Sequence, residues 1–262
     1  MLLKDKVVIV SGIGPGLGVK MAVLAAQEGA KGVVLAARTA AKLDDAERAI
    51  READLATPVL KLPTDISRKG DCERLAAQTV ERFGQIDALI NSAYLHDFGP
   101  VESSDMDDWR RLMEVNLYGS MNMTYAVLPQ MKRQRSGSIV MVNTMATRKP
   151  YSPEAGYAVS KGALSTAAQY LAGDLGQYGI RVNSTYMGWM WGASLKDYFE
   201  RQASQSGVSV ESLKAELAKD IPLREIPEDG ECAKAVIFLA SDYAKVITGA
   251  QLDVNGGHFL PY

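Results

Sequence analysis

Cysteine and histidine are scarce in this sequence, two of each among 262 residues. Cys72 and Cys232 show no ligand spacing, and two isolated thiols make no disulfide framework. His96 and His258 stand apart, so no metal centre is expected. An excess of charge is also missing: 29 Lys and Arg oppose 31 Asp and Glu, a formal net charge of -2. Without a basic surplus, neither nucleic acid nor an anionic membrane is an expected partner. Long apolar runs are missing too. Val7-Val8-Ile9-Val10 is too short for a signal-peptide core, and glycines with Pro15 break up the residues beyond it. No stretch approaches the roughly 18 apolar residues of a membrane span. What is present is 47% hydrophobic and 23% charged, the make-up of a folded, soluble, cytoplasmic chain with a sizeable core.

Strand and helix patterns alternate along the whole length. Residues 6–11, 32–37, 59–63, 86–91, 138–143, 180–186 and 251–254 read as short apolar strands. Residues 17–28, 40–53, 68–83, 106–134, 154–178 and 232–239 read as helices, with Pro129 predicting a kink or break in the longest. This order implies an α/β fold, a single-domain, doubly wound, Rossmann-like parallel sheet of seven strands with helices on both faces. Residues 189–221 break the rhythm. Long, mostly polar and helical, they suit either a substrate lid or a packed helical excursion.

The segment Ser11-Gly12-Ile13-Gly14-Pro15-Gly16-Leu17-Gly18 leaves the first strand and opens the first helix. Glycines let backbone approach a pyrophosphate, and a helix start offers unpaired N–H groups and partial positive charge. A tight turn without a ligand is the plainer reading, but the first βα turn of a parallel sheet favours a dinucleotide. A carboxylate closing the second strand would suit the ribose 2′-hydroxyl of NAD. This strand instead ends Ala36-Ala37-Arg38-Thr39, and a guanidinium suits a 2′-phosphate. NADP(H) is therefore favoured, with NAD(H) as the alternative.

Tyr157-Ala158-Val159-Ser160-Lys161 opens a helix, and a spacing of four puts phenol and ammonium on one face. A nearby cation favours the phenolate and brings proton transfer within reach. Thr144 ends the fifth strand, at the sheet edge where ligands bind, and offers a hydroxyl to a substrate oxygen. Asn116 sits inside the long helix, either bending it around a water or satisfied as an ordinary amide.

Together these residues resemble the short-chain dehydrogenase/reductase family, over essentially the whole chain. The segment from Ser11 to Gly18 is similar to its TGxxxGxG motif, and Asp65 in Thr64-Asp65-Ile66 to its adenine-binding aspartate. Asn91-Ser92-Ala93-Tyr94 takes its NNAG place, and Asn116, Thr144, Tyr157 and Lys161 its catalytic tetrad. Asn183 precedes its Pro-Gly position, held here by Met187-Gly188, and Thr248-Gly249 with Asn255-Gly256-Gly257 match its C-terminal pattern. The resemblance implies cofactor contacts from the glycine segment, Arg38, Asp65, Ile66, Asn91, Ala93, Tyr157, Lys161, Met187 and Gly188. It implies Tyr157 as general acid or base and Lys161 as the group that lowers its pKa and binds the nicotinamide ribose. Thr144 would orient the substrate oxygen, and Asn116 would support a water chain to Lys161. The family's reductases of carbon–carbon double bonds usually space tyrosine and lysine more widely, so the spacing of four favours ketone and alcohol chemistry.

Several positions depart from the family. Thr144 replaces the usual serine, keeping the hydroxyl while stiffening its rotamer. Tyr94 brings bulk where glycine is usual, and Gly192 falls where a threonine often binds the carboxamide. Tyr94, Met145, Trp189, Met190 and Trp191 are the candidate pocket residues, pointing either to a bulky hydrophobic ketone or alcohol or to a lid packed on the core. A homotetramer or homodimer through the helices at 106–134 and 154–178 is the expected assembly. Two rivals stand beside the oxidoreductase: a non-catalytic NADP-binding sensor or scaffold, and an isomerase or epimerase that recycles its nucleotide.

Overall fold

Runs of valine, isoleucine and leucine form the centre of a seven-stranded parallel sheet in this computed structural model, which describes residues 1–151 and 153–261. The first half supplies β1 (Val7–Ser11), α1 (Leu17–Gln27), β2 (Gly32–Ala37), α2 (Ala40–Glu52), β3 (Val59–Pro63), α3 (Lys69–Phe83) and β4 (Ala88–Asn91). There follow α4 (Met106–Met113), α5 (Ser120–Gln134), β5 (Gly137–Thr144), α6 (Ala155–Leu175) and β6 (Ile180–Met187). The chain then runs through α7 (Ala193–Ser206), α8 (Val210–Lys219), α9 (Asp229–Ala240) and β7 (Gln251–Val254). The strand order is β3-β2-β1-β4-β5-β6-β7, with every pairing parallel. Winding reverses between β1 and β4, which leaves a crevice at their C-terminal ends.

β1 is buried at all five positions, as a strand covered on both faces must be. Its side chains still alternate. Val8 and Val10 join Met21, Ala25, Val236 and Ile237 of α1 and α9 on one face. Val7 and Ile9 join Leu75, Met123, Val127 and Leu164 of α3, α5 and α6 on the other. Each fully buried aliphatic side chain contributes about 1.5–3 kcal/mol, so the two layers hold the sheet rigidly beneath the crevice. A third, smaller cluster (Leu195, Phe199, Ile221 and Ile226) lies under α7 and α8, giving residues 189–221 an apolar core of their own. Among the described residues, no helix is long and apolar enough to cross a membrane.

The predicted helix over 106–134 is interrupted, but not at proline. Pro129 lies within α5 without ending it. The irregular turn is the π-helical segment Glu114–Gly119, between α4 and α5. The Ser120 hydroxyl donates to Asn116 O at 2.9 Å and the Thr124 hydroxyl to Ser120 O at 2.8 Å, successive back-bonds of the kind that bend helices. Insertions of this type concentrate at functional sites, and this one carries Asn116.

Candidate active site

The glycine-rich turn is tied to its neighbours through backbone. Gly12 and Ile13 donate their N–H groups to Ala36 O at 2.9 and 3.1 Å, and Ser92 donates to Ser11 O at 2.8 Å. Gly12 has φ +104°, and a Cβ there would lie 2.2 Å from Ala93 N. A Cβ on Gly18 would lie 2.3 Å from Gly12 O. Packing of the protein itself therefore demands these two glycines. Gly14 is different, because a Cβ there meets nothing within 4 Å, and on Gly16 it meets only Asp229 Oδ2 at 3.8 Å. Among the described residues, no side chain caps the start of α1 at Gly16, and the buried Ser11 hydroxyl has no partner. Open space, an uncapped helix start and an unpartnered hydroxyl fit a diphosphate-bearing dinucleotide.

The other predicted cofactor residues ring this turn. Arg38 follows β2, the strand whose Ala36 carbonyl holds Gly12 and Ile13, and its side chain is exposed. Asp65 Oδ1 accepts from Ser67 N at 3.1 Å and Ser67 Oγ at 2.7 Å, so one carboxylate oxygen already serves its own turn. Ile66 is buried against the Gly119 backbone. Asn91, at the end of β4, donates to Thr124 Oγ1 at 3.2 Å, and its buried Oδ1 has no partner among the described residues. Ala93 is the backbone that Gly12 packs against. Met187 is buried, while Gly188 donates to Val254 O at 3.2 Å and leaves no room for a Cβ, which would lie 2.6 Å from Asn255 Cβ.

The reacting candidates converge from three elements. α6 carries Tyr157, Ser160 and Lys161, β5 ends at Thr144, and the π-helical segment brings Asn116. Asn116 is fully buried. It accepts from Leu95 N at 2.7 Å and donates to Leu95 O and Ser160 Oγ, each at 2.9 Å. Ser160 in turn donates to Tyr157 O at 2.7 Å. Sequence reasoning passed over Ser160, although it adjoins Lys161. Thr144 Oγ1 accepts from Ala146 N at 3.2 Å, which leaves its proton free to donate.

Lys161 is 2% exposed and donates to Val142 O at 2.8 Å, and burial pulls its ammonium down to about 8. The groups acting on Tyr157 all raise its phenol above the ordinary tyrosine range, burial first, then Tyr94 and Glu154. The lowering expected from Lys161 is thus not seen in this arrangement, where the ammonium is held on the β5 backbone. Against the Tyr157 ring, at 4.4 Å between centroids, lies His96, whose Nε2 is 3.3 Å from Glu154 Oε1. Counting histidines marked His96 only as isolated. Its position five residues after Asn91 was the available signal.

The five pocket candidates separate. Tyr94 is 55% exposed and its ring lies 6.2 Å from that of Tyr157. Trp189 meets Tyr151 edge-on at 5.7 Å. Met145 is buried beside Gly188, and Met190 packs on the apolar layer of α1 and α9. Trp191 belongs to the lid core, 5.8 Å from Phe199, with the Lys196 and Lys214 ammoniums 5.5 and 4.3 Å from its ring. Among the described residues, no three His, Cys, Asp or Glu side chains come together as a metal site.

A doubly wound parallel sheet, with an open glycine turn at its switch point and a helix carrying a half-buried tyrosine and a buried lysine beside it, defines a Rossmann-like oxidoreductase. A family model described as "Enoyl-(Acyl carrier protein) reductase" matches residues 12–258. The chain belongs to the short-chain dehydrogenase/reductase family. It is 32% identical over 261 residues to a trans-4-hydroxycyclohexanecarboxylate dehydrogenase of Sinomonas cyclohexanicum, covering 97% of this chain and 92% of that one. Among solved structures it is similar to a levodione reductase, with TM-score 0.89 and 28% identity, covering 97% of this chain and 98% of that one. It is also similar to a structure described as NAD+-bound xylitol dehydrogenase, with TM-score 0.88 and 29% identity, covering 98% and 100%.

Proposed function

We propose that the protein interconverts a ketone and a secondary alcohol, using NADP(H) in preference to NAD(H). The observation that carries this reading is Lys161. A lysine buried to 2% exposure, with a backbone carbonyl as its partner and no ion pair among the described residues, is a costly element for a scaffold. A sensor would need only the nucleotide half of the site.

The bound nicotinamide would supply or accept the hydride, held by Ser11, Gly14, Gly16, Arg38, Asp65, Asn91, Ala93 and the Met187-Gly188 turn. The remaining work falls to the chain's own groups. Tyr157, with its phenol raised, keeps its proton at neutral pH and donates it to a carbonyl oxygen. Thr144 donates its free O–H to the same oxygen. Lys161 loses its proton near pH 8, close enough to working conditions to exchange with ribose hydroxyls or water. Asn116 fixes Leu95 on one side and Ser160 on the other, and so positions Tyr157.

The family model's description raises the reduction of a carbon–carbon double bond as a second reading. The Tyr157–Lys161 spacing favours carbonyl chemistry instead, as do the names of the dehydrogenase and levodione reductase relatives. Tyr94 and Trp189 favour a substrate with one apolar face, and α7 with α8 would close over it as a lid. Exposed Met106, Tyr118, Tyr125 and Tyr170 on the α4–α6 side support a homodimer or homotetramer through those helices. The test of the reading is Tyr157→Phe in an NADPH-oxidation screen over ketones. Turnover should vanish while NADPH still binds, and a variant that keeps its turnover overturns the mechanism.

A further inference from the structure

The reacting tyrosine is not bordered by apolar side chains alone. His96 lies against its ring at 4.4 Å and against Phe98 at 4.2 Å, and Glu154 lies one residue before α6. The imidazole Nε2 and Glu154 Oε1 are 3.3 Å apart, and both side chains keep a little exposure, 20% and 12%. Two backbone ties hold this pair in place. Leu95, just before His96, is clamped through both its N–H and its C=O by Asn116. Gly99 donates to Pro153 O at 2.9 Å, joining the end of the loop to the residue before Glu154. The result is a prepositioned polar pair whose imidazole lies against the ring of the reacting tyrosine.

We propose that His96 and Glu154 form a polar clamp for a second hydroxyl, one or two carbons from the reacting carbon. The substrate class is then a diol, polyol or hydroxyketone, not a plain ketone. The inference rests on the role proposed for Tyr157 and adds the substrate class. A hydroxyl lying beside the pair donates to the Glu154 carboxylate and accepts from the imidazole N–H, which it shares with Glu154 Oε1 3.3 Å away. A substrate without that hydroxyl covers the pair with carbon and strips it of water, leaving the His96 contact alone to satisfy a carboxylate with several acceptor positions. Sites built around a hydroxyl discriminate for this reason. Contact between His96 and the Tyr157 ring keeps the second hydroxyl close to the first.

The test compares matched alcohols (cyclohexanol, cis- and trans-1,2-cyclohexanediol, 2-butanol, 2,3-butanediol and 1,3-butanediol) on the full-length protein. Wild type should favour at least one diol over its parent alcohol in kcat/KM by about tenfold or more. In His96→Phe, which keeps an aromatic ring on Tyr157, and in Glu154→Gln, that ratio should collapse toward one. Any shared loss from a disturbed tyrosine cancels in the ratio, and His96→Gln, which restores a donor, should recover part of it. Calorimetry of the same alcohols, with the Tyr157→Phe protein saturated in oxidised cofactor, supplies a readout without turnover. The diol should bind more tightly, and adding His96→Phe should erase the difference. Equal kcat/KM and equal binding of diol and parent alcohol overturn the clamp, as does a preference that survives both substitutions. Absence of cofactor turnover with every alcohol and ketone defeats the proposed reaction instead, while the binding comparison still decides the clamp.

Discussion

Two glycines of the same turn should fail in opposite ways when replaced by alanine. At Gly12 the backbone has φ +104°, and an added Cβ falls 2.2 Å from Ala93 N, 2.5 Å from Ser92 C and 2.6 Å from Ala93 Cα. All three are backbone atoms joined to β4, so no flexible side chain can swing aside. The left-handed conformation costs an L-residue about 1–2 kcal/mol. Forcing a methyl into packed backbone adds about 1–3 kcal/mol. The total, roughly 2–5 kcal/mol, is a large part of a typical stability of about 5–15 kcal/mol. For a chain of this size Gly12→Ala should lower Tm by about 4–20 °C. Gly14 has no atom within 4 Å of its Cβ position and no left-handed φ, so Gly14→Ala should leave Tm unchanged or slightly raised. Its cost should appear only in dinucleotide affinity, as a loss of about tenfold or more, or some 1.4 kcal/mol. Differential scanning fluorimetry, with cofactor titration by intrinsic fluorescence, measures both. A Gly12→Ala protein melting within about 2 °C of wild type would refute the packing argument. A Gly14→Ala protein with unchanged NADPH affinity would refute the cradle.

Lys161→Met should abolish turnover and yet stabilise the fold at neutral pH. The Lys161 pKa is lowered to about 8 from 10.5, so between those values the unfolded chain binds more protons than the native one, and stability rises with pH across that window. The penalty on wild type is therefore full below pH 8, about 3 kcal/mol at most, and fades toward pH 10.5. The Tm gap between variant and wild type should close over the same range, and a gap independent of pH would count against a buried charged lysine. Arg38→Asp, at an exposed side chain, should leave stability within about 0.5 kcal/mol of wild type while shifting preference from NADPH toward NADH. An unchanged preference in direct binding would remove Arg38 from the 2′-phosphate site. Asn116→Ala deletes three hydrogen bonds, the one to Ser160 buried and the two to Leu95 part-buried, and unfolding titrations should show a loss of about 2–4 kcal/mol. A loss under about 0.5 kcal/mol would mean that the Leu95 clamp contributes nothing to stability.

What could be read along the chain was whatever a local period decides. Buried parallel strands are short apolar runs, and their alternation with amphipathic helices leaves few topologies, so the sheet and its switch point were legible from the first strand onward. The glycine cluster was legible as a turn, but not the division of labour within it, because that depends on Ala93, whose backbone arrives from β4. Pro129 carries the local signature of an irregular turn. The turn falls instead at Asn116, whose partners Leu95 and Ser160 lie 21 and 44 positions away. Met190 and Trp191 carry the apolar character of a pocket, and only packing sends one to the main core and the other to the lid core.

Asn116 shows what this difference means for chemistry. An asparagine in a helix was open to two readings, a water-holding bend or a satisfied amide, and the structure shows a satisfied amide within a π-helical segment. The side-chain amide spends its two N–H donors on Leu95 O and Ser160 Oγ and accepts from Leu95 N. It has no proton left to offer toward Lys161. The main-chain carbonyl of Asn116 accepts from Ser120 Oγ at 2.9 Å. The side chain's contribution is to fix the loop that presents His96, so the same amide that positions Tyr157 through Ser160 also positions the polar clamp.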